Sequence, residues 1–336
     1  MKIMKRKISL VVAGLMLASG FAMACNKEQE EIAVCMPDGA PALALAGLMA
    51  EDTDGDGVSY NVVPASLIAS KVTYKEESKN ADLCVMPVTA ASKLLGNGDR
   101  YVMLGAVTHG NLYLLAKDGE VYTADNVSSL VGKKVGVLQI NEVPGLTFKA
   151  TLNKYDIPWQ ELKSDGTAAA DKVNLVAISG PEAVGAIDAD CYMIAEPAAS
   201  AQAKKGYSIV GDLQSLYGGE KGYTQAVLVA KKSLVEEKSA WTKEFVAKVE
   251  GSAEWLSSAS GEQIVAAVAA HMEDKDTETS LKAPLLSSAV LARCGIYFTY
   301  AKNCAMETEM FLAALLAVNG NAAAIPQQQF YWEYTK

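Results

Sequence analysis

The chain of 336 residues carries 39 acidic against 30 basic side chains, a net charge of −9, and half of its residues are apolar. So acidic a surface is unsuited to nucleic acid or anionic lipid, which are recognised by clustered Lys and Arg. The roughly 310 residues beyond the leader suffice for two domains of ordinary size.

Residues 1–24 read as a secretory signal peptide. Lys2, Lys5, Arg6 and Lys7 form a positive start, and Ile8 to Ala18 an apolar run too short to span a bilayer. Small residues at Ala22 and Ala24 lead into Cys25, an ending that resembles a bacterial lipobox. Cys25 is therefore the expected lipidation site, and 25–31 a lipidated tether. Removing the leader leaves 26 basic against 39 acidic groups, a net of −13. Arginine is scarce: only Arg6, Arg100 and Arg293 occur. Of the five later cysteines, Cys35, Cys84 and Cys191 sit in apolar runs and read as buried thiols. Cys294 and Cys304 are near enough in sequence for a local disulfide, which spacing alone does not decide.

The first strand is expected at 32–36, a helix at 42–50 behind Pro41, and a second strand at 58–63. A helix at 65–72, a strand at 83–86 and a helix at 88–95 complete this unit. Such alternation implies βαβ crossovers and a parallel sheet. The strand cores are apolar throughout, as sheets covered on both faces require. A β-rich segment, 101–117, is interrupted by Thr108-His109-Gly110-Asn111. The pattern then restarts: strand 134–139, helix 145–155, strand 175–178, helix 181–187, strand 191–194, helix 197–204 and strand 223–230. From Lys232 onward the expectation is almost wholly helical, over 241–258, 262–271, 285–294 and 307–318.

The segments MPDGAPALALAGLM (36–49), ADLCVMPVTAASKLL (81–95), LVGKKVGVLQ (130–139), ADCYMIAEPAASAQAKKG (189–206) and FYWEY (330–334) carry a resemblance. In this order they resemble the extracytoplasmic solute-binding lipoproteins of ABC importers, in the nitrate, sulfonate, taurine and hydroxymethylpyrimidine branch. That resemblance implies a two-lobed α/β fold of the type II periplasmic-binding-protein kind. Each lobe is a mainly parallel sheet flanked by helices, and two crossover strands join them. It places lobe I at 32–108 plus 226–336 and lobe II at 109–225. It also implies a monomer held by Cys25 at the outer face of the cytoplasmic membrane. Such a protein hands a small solute to the permease of its importer.

Ligands of open α/β sheets bind beyond the carboxyl ends of the strands. The expected ligand-binding residues are therefore Asp38, Gly39, Ala40, Ser66, Val88 and Thr89 in lobe I, and Asn141, Glu142, Glu182 and Glu196 in lobe II. His109, Asn111, Tyr113 and Tyr223 join them at the crossovers, with Thr224 and Gln225 beside the last. Asp38 serves equally well as a helix cap, and the acidic residues also suit helix N-termini. Three acidic groups in one lobe's loops, with no Arg or Lys beside them in those loops, would repel anions. They point to a neutral or cationic nitrogen heterocycle or amine, resembling a pyrimidine or thiamine precursor. The alternatives are a sulfonate or nitrate binder and, from another class, a pyrimidine-synthase-like enzyme on the same fold. No catalytic motif, cofactor or metal site is expected. Glu51 to Gly57 looks like the start of a calcium loop, but the bidentate Glu that such a loop needs is replaced by Val63.

Overall fold

The computed structural model describes residues 31–53, 57–163 and 166–334. The leader, Cys25 and the Asp54–Asp56 part of the calcium-like loop lie outside the described residues. These described residues form one unit built on two sheets of six strands.

The strands are β1 (Ile32–Pro37), β2 (Val58–Val63), β3 (Leu83–Pro87), β4 (Tyr101–Thr108), β5 (Leu112–Ala116) and β6 (Lys134–Leu138). They continue as β7 (Trp159–Glu161), β8 (Val173–Ile178), β9 (Cys191–Ala195), β10 (Ser208–Asp212), β11 (Ala226–Lys231) and β12 (Ile296–Tyr300). The first sheet runs β12-β4-β11-β3-β1-β2 and the second β10-β5-β9-β6-β8-β7. Five strands of each share one plan, since β2-β1-β3-β11-β4 matches β8-β6-β9-β5-β10. In both, three parallel strands come from βαβ units and the fourth enters antiparallel from the other sheet. The expected parallel sheets thus hold for the βαβ portions, and the crossing strands add an antiparallel portion to each.

Burial explains the apolar strand sequences. Every residue of β4 and β5 is buried, because helices cover both faces. Helix Val88–Leu95 buries Val88, Ala91, Ser92 and Leu95, the stripe that a 3.6-residue period lays on one side. One continuous apolar cluster joins the sheets through Phe148 and Leu152 of helix Val143–Lys154 and Phe311, Leu312 and Leu315 of helix Ala301–Val318.

Several local expectations are corrected. Residues 65–72 form a 3-10 helix, and the helix expected over 181–187 is one 3-10 turn, Pro181–Ala183. Val184 is extended and Gly185 has φ +80°, which stops propagation. Strand β12 interrupts the region expected to be helical. Its Ile-Tyr-Phe-Thr-Tyr run has strong β preference, and Gly295 at φ +63° turns the chain into it. Cys294 and Cys304 are free and buried, so they form no disulfide. Burial pushes their thiols up to about 12 and about 11.

The β4–β12 pairing needs a residue without a side chain at Gly105. A Cβ there would lie 2.4 Å from Phe298 Cζ and 2.5 Å from the Thr299 carbonyl oxygen. Gly105→Ala should therefore destabilise the fold by about 2 kcal/mol or more, read as a lower urea midpoint. An unchanged midpoint would show that β12 is not held this tightly.

Candidate functional site

The two sheets present their carboxyl edges to each other. Thr108 ends β4 and Leu112 begins β5, so three residues separate the sheets, and the four Cα steps from Thr108 to Leu112 span at most about 14 Å. Gln214 fixes this crossing: its side-chain amide accepts from Leu112 N at 2.7 Å and donates to Leu112 O at 3.1 Å. Asp212 caps the helix carrying it, accepting from Gln214 N and Ser215 N. The return crossing, 222–225, lies alongside, with Gln225 N donating to Thr108 O and Tyr223 N to His109 O. On the carboxyl edge of the first sheet lie the loops 38–41, 64–66 and 87–90, and on that of the second the loops 139–143, 179–181 and 196–198.

The expected residues divide into two groups. Ser66, Asn141, Glu142 and Glu182 are exposed on their loops, while Asp38, Gly39 and Ala40 are half-buried. Asp38 is no helix cap; its carboxylate accepts from Thr279 Oγ1 and Ser280 N, both at 2.6 Å. Glu182 accepts from Ser179 Oγ at 3.2 Å. Val88 and Thr89 are buried, and the Val88 N–H is used by the Gln225 carbonyl. Lys149, almost fully buried, straps the Asn141 loop from behind. Its Nζ donates to Ile140 O at 2.8 Å and to Glu161 Oε1 at 2.5 Å, 5.4 Å from the Trp159 ring centre.

The second group, His109, Asn111, Tyr113, Glu196 and Tyr223, is buried where the sheets meet. Glu196 corrects the acidic-loop expectation. Its carboxylate is withdrawn from solvent and accepts from Arg293 Nε at 2.6 Å, Ser200 Oγ at 2.6 Å and Ser200 N at 2.9 Å. Arg293 Nη2 donates to Ser200 Oγ as well, and Tyr113 OH donates to the Arg293 carbonyl. Arg293 stands just before β12 in the first sheet, so the ion pair joins the two sheets. Among the described residues it and Arg100 are the only arginines. Sequence scarcity was the only signal for Arg293, and nothing in the sequence tied it to Glu196 across 97 residues.

Tyr223 is a packing residue, stacked on Phe311 at 4.9 Å and edge-on to Tyr217. His109 stacks on Tyr297 with ring centres 3.6 Å apart, and its Nε2 is 3.1 Å from Thr299 Oγ1. The other histidine, His271, caps helix Gly261–Ala270, its ring nitrogens facing the Ala267 carbonyl and Asp52. A pocket of about 810 Å³ lies on one flank of the crossings, between helices 143–154 and 301–318, with Tyr217, Tyr223 and Phe311 in its wall.

No protein-family model matches the chain, and no curated protein matches its sequence. Solved structures do. An ABC transporter protein from Parabacteroides distasonis superposes with a TM-score of 0.68 at 18% identity, over 91% of this chain and 100% of that one. The periplasmic aliphatic sulphonate binding protein SsuA from Escherichia coli gives 0.63 at 17%, covering 91% and 93%. DszB in complex with biphenyl-2-sulfinic acid gives 0.53 at 14%, covering 86% and 93%. The chain thus has the two-lobed α/β fold of periplasmic solute-binding proteins.

Two predictions follow from the buried junction. Arg293→Met leaves the buried Glu196 carboxylate with only its Ser200 hydrogen bonds and no opposite charge, and should remove about 3–5 kcal/mol of stability. Loss of the exposed Lys248–Glu244 pair, by contrast, should change stability by about 0.5 kcal/mol or less; equal effects in urea denaturation would contradict the assignment. Burial also pushes the His109 imidazole down to about 4 from 6.5. Because this histidine protonates more readily when unfolded, its contribution is complete above pH 6.5 and is lost as the pH falls towards 4. The loss amounts to about 3 kcal/mol. The stability difference between wild type and His109→Gln should shrink or reverse across that window; parallel profiles would refute it.

Proposed function

We propose that this protein is the solute-binding component of an ABC importer. Lobes 32–108 plus 226–336 and 109–225 close over a small solute by rotating about the crossings near 109–111 and 222–225. The observation that carries this reading is the opposition of two sets of strand-to-helix loops across those short crossings. Solute bridging both lobes binds the closed form better and shifts the population towards it. A membrane permease then reads the closed shape. Export by the 1–24 leader and lipidation at Cys25 would hold the protein, as a monomer, at the outer face of the membrane.

Binding is favoured over catalysis. His109 is buried and held neutral, and the five thiols among the described residues are buried, where loss of solvent raises their pKa and suppresses the nucleophilic thiolate.

The exposed loop carboxylates Glu142 and Glu182, with Glu196 already neutralised by Arg293, favour a neutral or cationic nitrogen heterocycle or amine. A second reading, a sulfonate or nitrate ligand, draws on the likeness to SsuA and on the helix N-termini that open from these loops. Thermal-shift measurements separate them. A ligand at about 100 times its Kd adds about 2.7 kcal/mol, which for a chain of this size raises Tm by several degrees. Cytosine, uracil or ethanolamine should do so, and Glu142→Gln with Glu182→Gln should weaken the cationic probe. Stabilisation by nitrate or methanesulfonate alone would establish the second reading, and no response to either class would remove the binding function.

A further inference from the structure

The floor of the junction is a chain of side-chain amides whose direction is fixed. The Glu196 carbonyl can only accept, so Asn111 must turn its Nδ2 towards it, at 2.9 Å. That leaves Asn111 Oδ1 facing Gln225, which must therefore donate through Nε2, at 3.0 Å. Gln225 Oε1 is consequently left as an acceptor, buried and without any hydrogen-bond partner. Reversing either amide would set oxygen against oxygen, so no flip relieves it. Thr108 Oγ1 on the adjoining crossing is likewise buried and unpartnered.

The place of this acceptor matters. Gln225 immediately precedes β11, whose first residue pairs with Pro87 at the carboxyl end of β3. The Gln225 carbonyl takes the Val88 N–H, so the residue abuts the first turn of helix Val88–Leu95, where Thr89 and Ala90 have N–H groups without intrahelical partners. Asn111 and Glu196 lie at the matching edge of the second sheet, where Leu112 pairs with Ala195. A buried acceptor left unpaired is destabilising, and a partner that donates to it recovers that loss on binding.

Resting on the solute-binding reading, we infer that Gln225 is a specificity-determining residue whose Oε1 accepts a hydrogen bond from an N–H or O–H of the solute. Acceptor atoms of the same solute would meet the N–H groups of the first turn of helix 88–95. The solute class is then a polar molecule with donor and acceptor side by side, such as a lactam, ureide or amino-heterocycle. Nitrate and simple sulfonates, which carry no donor, cannot satisfy Gln225.

The test is isothermal titration of the protein, Gln225→Met and Gln225→Glu with cytosine and uracil as donor-bearing probes, and nitrate and methanesulfonate as probes without donors. Wild type should bind a donor-bearing probe. Gln225→Met should lose about ten- to hundredfold in affinity for it, and Gln225→Glu should recover part of that loss only as the pH is lowered and its carboxyl protonates, donating to Asn111 Oδ1 and leaving its other oxygen as the acceptor. Ligand-free melting curves of both variants verify that each is folded. Binding of the donor-free anions alone, or unchanged affinity in a folded Gln225→Met, would overturn the inference while leaving solute binding intact. Binding of no probe at all would overturn both.

Discussion

The fold depends on the shortness of its two crossings. Three residues, 109–111, carry the chain out of the first sheet, and 222–225 bring it back. Links this short cannot reach around a lobe, so the carboxyl edge of each sheet must face that of the other. Every loop following a parallel strand then opens towards one shared region. The crossing strands also account for the mixed sheets. β5 and β11 enter from the opposite sheet and can pair only antiparallel to the βαβ strands beside them.

Contacts on both flanks of the crossings limit what motion remains. On one flank Arg293 reaches Glu196, and Lys204 Nζ donates to the Pro284 carbonyl at 2.8 Å. On the other, helices 143–154 and 301–318 share the apolar cluster that joins the sheets. Attachments on both sides of the crossings hold the two sheets in one relative arrangement. The ion pair suits such a place. A buried pair adds little net stability over apolar packing, but it admits a single register, because Arg293, Ser200 and the Glu196 carboxylate fit together in one arrangement.

The βαβ layout was legible because it is written locally. Apolar runs such as those of β1, β3 and β9, with proline at helix starts, need no distant information. β2 at 58–63 and the helix at 88–95 match their expected limits. β12 was legible too, in its Ile-Tyr-Phe-Thr-Tyr run, but was masked by the helical periodicity around it. The 3-10 turn at Pro181–Ala183 differs because one glycine, Gly185, takes a left-handed conformation that sequence alone does not announce.

The polar chain at the junction lay beyond such reading for a physical reason. Its links join residues 85, 114 and 97 positions apart, and each side chain by itself is compatible with an exposed loop. Glu196 reads as a free acid on a strand-to-helix loop until Arg293 arrives from the other sheet. Asn111 and Gln225 read as polar turn residues until the Glu196 carbonyl fixes which end of each amide points where. The charge and hydrogen-bonding character of the junction is thus a property of the crossings: only after they bring the edges together does an acidic loop become neutral and a glutamine become a directed acceptor.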